Sequence, residues 1–346
     1  MAKRYRLQIL TVGLLSQVLI QNFSDAFAAE RFYEGKTVRF VVTSSAGGGW
    51  DTYTRLIARH IGKYIPGTPT TNVENKPGAG GLVGVGYLYH QAKPDGLTIG
   101  NWQGGLALQQ YLGVGGIQFD PTKFEVIGVP VGNTQVCVVN KSTGITTIDA
   151  WTASKRPVKL AGMGPGSPAS DVPRVLLAAL GLPLQLVEGY KGGSEARLAI
   201  DAEEADGMCG VPWEIAKPTW QKLLPKMTVV LQVLSKPHPD LPNVPLAIGV
   251  AKTNEARQLI EVGIQDVSAI SQIYTVPPGT AKERVEILRQ AFSATMKDPD
   301  FLAEAKKSRL EIDPLGAEEA TAIVSAFAKL KPALLTRLKE ILVPKK

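Results

Sequence analysis

Short apolar runs rich in β-branched residues recur along the first third of the chain, and each leads through glycine into a stretch of helical spacing. Val38 to Thr43 is such a run, as expected of a parallel strand buried on both faces. It passes into Ser44-Ser45-Ala46-Gly47-Gly48-Gly49, after which apolar positions follow a helical period from Trp50 to about Tyr64. Thr71 to Asn75 predicts a second strand, Lys76-Pro77-Gly78-Ala79-Gly80-Gly81 a second loop, and the residues up to about His90 a second helix. Leu97 to Asn101, then Trp102-Gln103-Gly104-Gly105, repeat the arrangement. Successive strand–loop–helix units predict an open, doubly wound α/β sheet.

A second series begins after Gly128-Val129-Pro130-Val131-Gly132, with strands expected at Gln135–Val139, Val158–Ala161, Leu184–Glu188 and Ala205–Cys209. Pro237, Pro239, Pro242 and Pro245 end it, because their spacing excludes a helix or a central strand. Ala269 to Val276 predicts one more strand, and Thr280-Ala281-Lys282-Glu283 reads as a capping box. The remainder is amphipathic helix, broken at Asp298-Pro299, Asp313-Pro314 and Lys331-Pro332. The pattern therefore predicts one α/β lobe (residues 131–245) inserted into another (29–130 with 246–346), with crossings that act as a hinge. Strand C-termini of both lobes are expected at one cleft, where ligands of open α/β sheets bind.

Composition changes this picture little. Hydrophobic residues make up 44% and charged residues 20% of 346, which fits a globular protein and neither a disordered chain nor a coiled coil. The N-terminus reads as a secretory leader, residues 1–28: Lys3, Arg4 and Arg6 precede an apolar run from Ile9 to Ile20, and Ala26-Phe27-Ala28 fits a cleavage site. That run is too short for a spanning helix of ~20 residues, so export to the periplasm with cleavage near Ala28 is expected. The formal charge of +7 is spread without a Lys/Arg cluster, which argues against nucleic acid. In an oxidising compartment Cys137 and Cys209 are able to pair; as members of apolar runs they are equally natural as buried thiols.

Glycine loops that end a strand and open a helix have a specific chemical use. The backbone can approach a ligand closely, and the unpaired N–H groups of the first helical turn attract an anion. Gly47-Gly48-Gly49 and Gly78-Ala79-Gly80-Gly81 both fit, and Asp51 stands where a carboxylate caps N–H groups or orients a water. Nucleotide motifs fail on spacing. Glu34-Gly35-Lys36-Thr37 lacks the first P-loop glycine and precedes its strand, and Val83 stands where a dinucleotide loop starting at Gly78 needs glycine. The histidines are His60, His90 and His238; none has metal-ligand spacing, and there is no G-x-S-x-G. No cofactor, metal or enzyme activity is expected. Trp102, Gln103, Ser167, Asp171, Tyr190, Pro212 and Trp213 all follow strands, a shared position that suits a pocket.

Several segments together resemble the substrate-binding components of tripartite tricarboxylate transporters, the Bug family. They are Val41-Val42-Thr43-Ser44-Ser45-Ala46-Gly47-Gly48-Gly49-Trp50-Asp51, Val73-Glu74-Asn75-Lys76-Pro77-Gly78-Ala79-Gly80-Gly81 and Lys93-Pro94-Asp95-Gly96. Gly189-Tyr190-Lys191-Gly192-Gly193, Leu241-Pro242-Asn243-Val244-Pro245 and Val276-Pro277-Pro278-Gly279-Thr280 complete the set in order. The resemblance implies a class II periplasmic-binding-protein fold, a monomer that closes on a small carboxylate and delivers it to membrane permease subunits. By position it places Ser45 to Gly49, Asp51 and Gly78 to Gly81 at the carboxylate, with Ser167 and Tyr190 from the far lobe. Ser44-Ser45, Trp50, Asp171 and Pro212-Trp213 depart from the family pattern, so the far end of the ligand, dicarboxylic or aromatic, is where this chain should differ. An extracytoplasmic sensor subunit and a periplasmic hydrolase are the alternative readings.

Overall fold

A computed structural model describes residues 32–164, 166–190 and 192–343; the expected leader lies outside them. The principal elements begin with β1 (Thr37–Val42), α1 (Gly49–Ile61), β2 (Thr70–Asn75), α2 (Leu82–His90), β3 (Thr98–Trp102), α3 (Gly105–Tyr111) and β4 (Glu125–Gly128). Next come β5 (Gln135–Asn140), α4 (Ile148–Thr152), β6 (Val158–Ala161), α5 (Pro168–Leu180) and β7 (Leu184–Val187). They continue with α6 (Gly193–Asp201), β8 (Gly207–Pro212), α7 (Trp213–Thr219) and β9 (Met227–Gln232). Beyond the proline-rich connection lie α8 (Asn254–Ile260), β10 (Ile273–Val276), α9 (Lys282–Thr295), α10 (Pro299–Lys307), α11 (Ala317–Phe327) and α12 (Pro332–Leu342). The chain forms two compact units. Among the described residues the first holds 32–102, Lys123–Gly128 and Tyr274–Ser308; the second holds Gln103–Thr122, Val129–Ile273 and 309–343.

The sheet of the first unit has the order β2-β1-β3-β10-β4, so a late strand sits between β3 and β4. β1 pairs in parallel with β2 and β3, and its Val38, Phe40, Val41 and Val42 are fully buried. α1 turns Tyr53, Leu56, Ile57 and Ile61 inward. α2 lies close to the sheet because position 84 is glycine: a Cβ there would be 2.7 Å from both the Lys76 carbonyl oxygen and Thr43 Cγ2. The expected capping box does not form. The Thr280 hydroxyl donates to the Pro277 carbonyl at 2.8 Å, and α9 starts after Ala281 without a side-chain cap.

The second unit is also five-stranded, β7-β6-β8-β5-β9. β6 runs parallel to β7 and β8, whereas β5 runs antiparallel to β8 and β9. Cys137 on β5 and Cys209 on β8 form a disulfide across adjacent strands. Gly210 brings the start of α5 against β8, since a Cβ there would collide with the Pro168 carbonyl. α11 packs on α3, and α12 on α5 and α8. Residues 246–273 and 309–343 group with the second unit by packing, whereas the sequence pattern was read as joining them to the outer lobe. Among the described residues no helix is long and apolar enough to cross a membrane.

Candidate functional site

Parallel pairing sets Val42 beside Asn75, so the loops after β1 and β2 leave the same edge of the first sheet, each opening a helix. The loops are tied together by buried polar bonds. Asp51, in the first turn of α1, is 2% exposed. Its Oδ2 accepts from the Gly47 N–H at 2.8 Å and from Arg55 Nε at 2.9 Å, and its Oδ1 accepts from Asn75 Nδ2 at 2.9 Å. Asn75 Nδ2 also donates to the Ser44 carbonyl at 3.0 Å, and Arg55 Nη2 donates to Asn75 Oδ1 at 3.1 Å. Burial pushes the Asp51 carboxyl up, but the bonds from Arg55, the Gly47 N–H and Asn75 outweigh it and hold the pKa below the ordinary aspartate value. Asp51 is thus a positioning group whose oxygens are already used within the protein.

The second loop turns through four consecutive residues with positive φ: Gly78 (135°), Ala79 (46°), Gly80 (65°) and Gly81 (99°). Ala79 alone carries a side chain there, at a cost of ~1 kcal/mol. Such strain is held where the surroundings over-determine it, typically at a ligand site. Gly81 faces Thr43, whose Oγ1 would lie 3.2 Å from a Cβ at position 81. Around this edge, Thr43 Oγ1, Ser44 Oγ and both amide atoms of Asn101 are buried without a hydrogen-bond partner among the described residues. Asn101 lies in the fully buried strand β3, and its backbone carbonyl accepts from the Thr43 N–H at 3.0 Å. Ser45, Ala46, Gly47, Gly48, Gly49, Gly78, Ala79 and Gly80 are exposed, and Trp50 is half-buried. Lys76, the basic residue of these loops, holds its ammonium 4.4 Å from the Tyr87 ring centre. Backbone N–H groups, hydroxyls and the Asn101 amide are therefore the anion-binding chemistry on offer.

The other candidates separate. Trp102 is 0% exposed, donates from Nε1 to Thr275 Oγ1 at 2.9 Å and lies 5.5 Å from the Phe124 ring; it is a core residue of the first unit, not a pocket wall. Gln103 and Asp171 do meet, at a largely apolar cavity of about 150 Å³ inside the second unit. Ser167 starts α5 and donates to the Gly164 carbonyl at 2.7 Å, while Asp171 Oδ1 accepts from the Gly166 N–H at 3.1 Å. Tyr190 and Trp213 are half-buried against the core of the second unit. Trp213, which follows Pro212 at the end of β8, donates from Nε1 to Asp240 at 3.1 Å.

A sequence model described as the tripartite tricarboxylate transporter family receptor matches residues 55–331. The chain belongs to this receptor family. No curated protein matches it by sequence. Among solved structures it is similar to a TctC solute-binding protein from Polaromonas (TM-score 0.67, 18% identity, 89% of this chain and 98% of that one). It is also similar to the periplasmic binding protein BugD (0.60, 23%, 91% and 100%) and to MatC from Rhodopseudomonas palustris with bound malate (0.59, 21%, 89% and 99%). At these identities the likeness establishes the fold.

In this TctC-type receptor one cluster was invisible in sequence spacing. Glu214 at the start of α7, His238 in the proline-rich connection and Glu311 bring ligand-capable atoms within 4.8 Å of one another. His238 is buried. Its Nδ1 accepts the Asp240 N–H at 3.1 Å, so in the neutral ring the proton is on Nε2, which points to Glu311 at 3.4 Å. With Nδ1 occupied by the Asp240 N–H and the proton on Nε2, neither nitrogen of this neutral ring offers a free lone pair to a metal. The residues thus form an N–H donor flanked by two carboxylates, and burial raises the Glu214 pKa.

Proposed function

We propose that the protein is a periplasmic solute-binding receptor that captures a small organic carboxylate and delivers it to the permease subunits of a tripartite tricarboxylate-type transporter. The carrying observation is the edge of the first sheet: two loops clamped by Asp51 and Asn75 gather helix N-termini and unpartnered buried polar atoms of Thr43, Ser44 and Asn101. A carboxylate accepts several hydrogen bonds at once and suits the positive end of a helix. Malate in MatC and adipate in another R. palustris relative support the same class of cargo. The leader expected in residues 1–28 supports the periplasmic assignment.

A thermal-shift screen of organic acids against purified protein tests this reading. A ligand present at ~100 times its Kd should add ~2.7 kcal/mol to stability and raise the Tm visibly. Response to carboxylates is the expected result. Stabilisation by sugars or simple cations alone, with silence toward every acid, would sink the proposal.

A further inference from the structure

The chain enters the second unit at Val129 and again at Arg309. Just inside, the two entering segments pair with each other. The Val129 N–H donates to the Leu315 carbonyl at 3.1 Å, the Leu315 N–H to the Val129 carbonyl at 3.0 Å, and the Asp313 N–H to the Pro130 carbonyl at 3.2 Å. Glu311, next along the second segment, sets Oε1 3.4 Å from His238 Nε2, without the alignment of a full hydrogen bond. His238 is itself held by a buried post: its N–H donates to Gln232 Oε1 at 2.9 Å, and Gln232 Nε2 donates to the Leu241 and Val244 carbonyls. From α7, Glu214 Oε1 accepts the Thr134 N–H at 3.0 Å. Two carboxylates thus share one imidazole N–H within 4.8 Å. The neighbouring charges are spent elsewhere: Asp240 on Lys217 and the Trp213 indole, and Lys236 4.0 Å from Asp313.

We propose that Glu214 and Glu311 form a proton-operated clasp, which on acidification fastens the entering segment 309–315 to the proline-rich connection. With both carboxylates ionised they repel, and one N–H cannot satisfy them both. A proton taken from solvent by Glu214 goes to Oε2, because Oε1 already holds the Thr134 N–H. It ends the repulsion and supplies a second donor for Glu311. Burial first, and the charge of Glu311 behind it, hold the Glu214 pKa above the ordinary glutamate value, against the opposing bond from Thr134. A folded-state pKa above the unfolded one makes the protonated form the stabilising one. The gain is complete below the ordinary glutamate range and is lost as pH rises through the raised value. None of the glycine-loop residues takes part, so failure of the clasp would leave the carboxylate reading untouched.

Hydrogen exchange of the Asp313 and Leu315 amides, which bond across the entering pair, reads the clasp directly. Protection factors, corrected for the intrinsic pH dependence of exchange, should rise about 3-fold to 5-fold between about pH 7.5 and about pH 5, the scale of one part-exposed charge pair. Glu214→Gln keeps an acceptor for Thr134 and mimics the protonated acid. It should show the higher protection already at neutral pH and no further rise, and Glu311→Gln should also flatten the response. The Val158 amide, bonded to the Pro183 carbonyl elsewhere in the same unit, should not change. A wild type without the rise, a rise that persists in Glu214→Gln, or an equal rise at Val158 would each overturn the clasp.

Discussion

At the scale of single residues, Gly48 and Gly80 differ in what a side chain would do to them. Gly48 has φ −76° and ψ 169°, an extended conformation open to any residue, and a Cβ there would meet the Ser45 carbonyl only at 3.4 Å. Gly80 has φ 65°, where a β-branched residue is strained. Gly48→Val should therefore keep the wild-type Tm and lose the ligand-induced shift, whereas Gly80→Val should also lower the Tm of the free protein. Thermal unfolding with and without a responding acid checks both, and an undiminished shift in Gly48→Val would mark the loop as an ordinary turn. The glycine loops were legible in the sequence because runs of glycine between an apolar strand and a helical period stand out, and Gly47, Gly78, Gly80 and Gly81 do adopt the positive φ that favours glycine. Asn101 and Thr43 were not singled out, although a polar residue ending an apolar strand was the available signal. Trp102 misled for a related reason: a strand buried on both faces has no polar alternation to show which way its last side chain points.

At the scale of elements, Asp51 fastens the first turn of α1 to the end of β2, which is the join that fixes one loop against the other. Asp51→Ala should leave the Gly47 N–H and Asn75 without their acceptor, costing about 2–4 kcal/mol in urea unfolding and weakening acid binding in parallel. Stability unchanged within error would show that the clamp does nothing. The parallel strands β1, β2, β3, β6 and β7 were placed within a residue or two by their apolar runs. β4 and β9 were missed. Each lies at a sheet edge and pairs antiparallel, and neither leads directly into a helix as the strands of the glycine loops do. The cap expected at Thr280 failed because the Pro277 carbonyl claimed the hydroxyl first.

At the scale of the molecule, each unit has its own sheet and core, and the disulfide belongs to the second alone. It closes a loop with a sequence separation of 72, which in the chain-entropy model contributes ~4 kcal/mol. Reduction should lower the melting of the second unit selectively, so that calorimetry of the reduced protein resolves two transitions. A single peak shifted as a whole would mean that the units unfold together. No sequence pattern announced which unit the C-terminal helices would join, because amphipathic spacing shows that a face is covered and not what covers it. The meeting of Glu214, His238 and Glu311 escaped for the same reason, since their proximity is a product of the fold.

The burial of Trp102 also makes the molecule a usable optical instrument. Trp102 and Trp151 are shut away from solvent and Trp220 nearly so, and their emission should form a steady blue-shifted background insensitive to acrylamide. Trp50, beside the exposed glycines at the start of α1, and Trp213 remain partly open to quencher. With Trp213→Phe, the quenchable light would come chiefly from the one indole beside the loops, and native fluorescence would report events at that helix end without any attached dye.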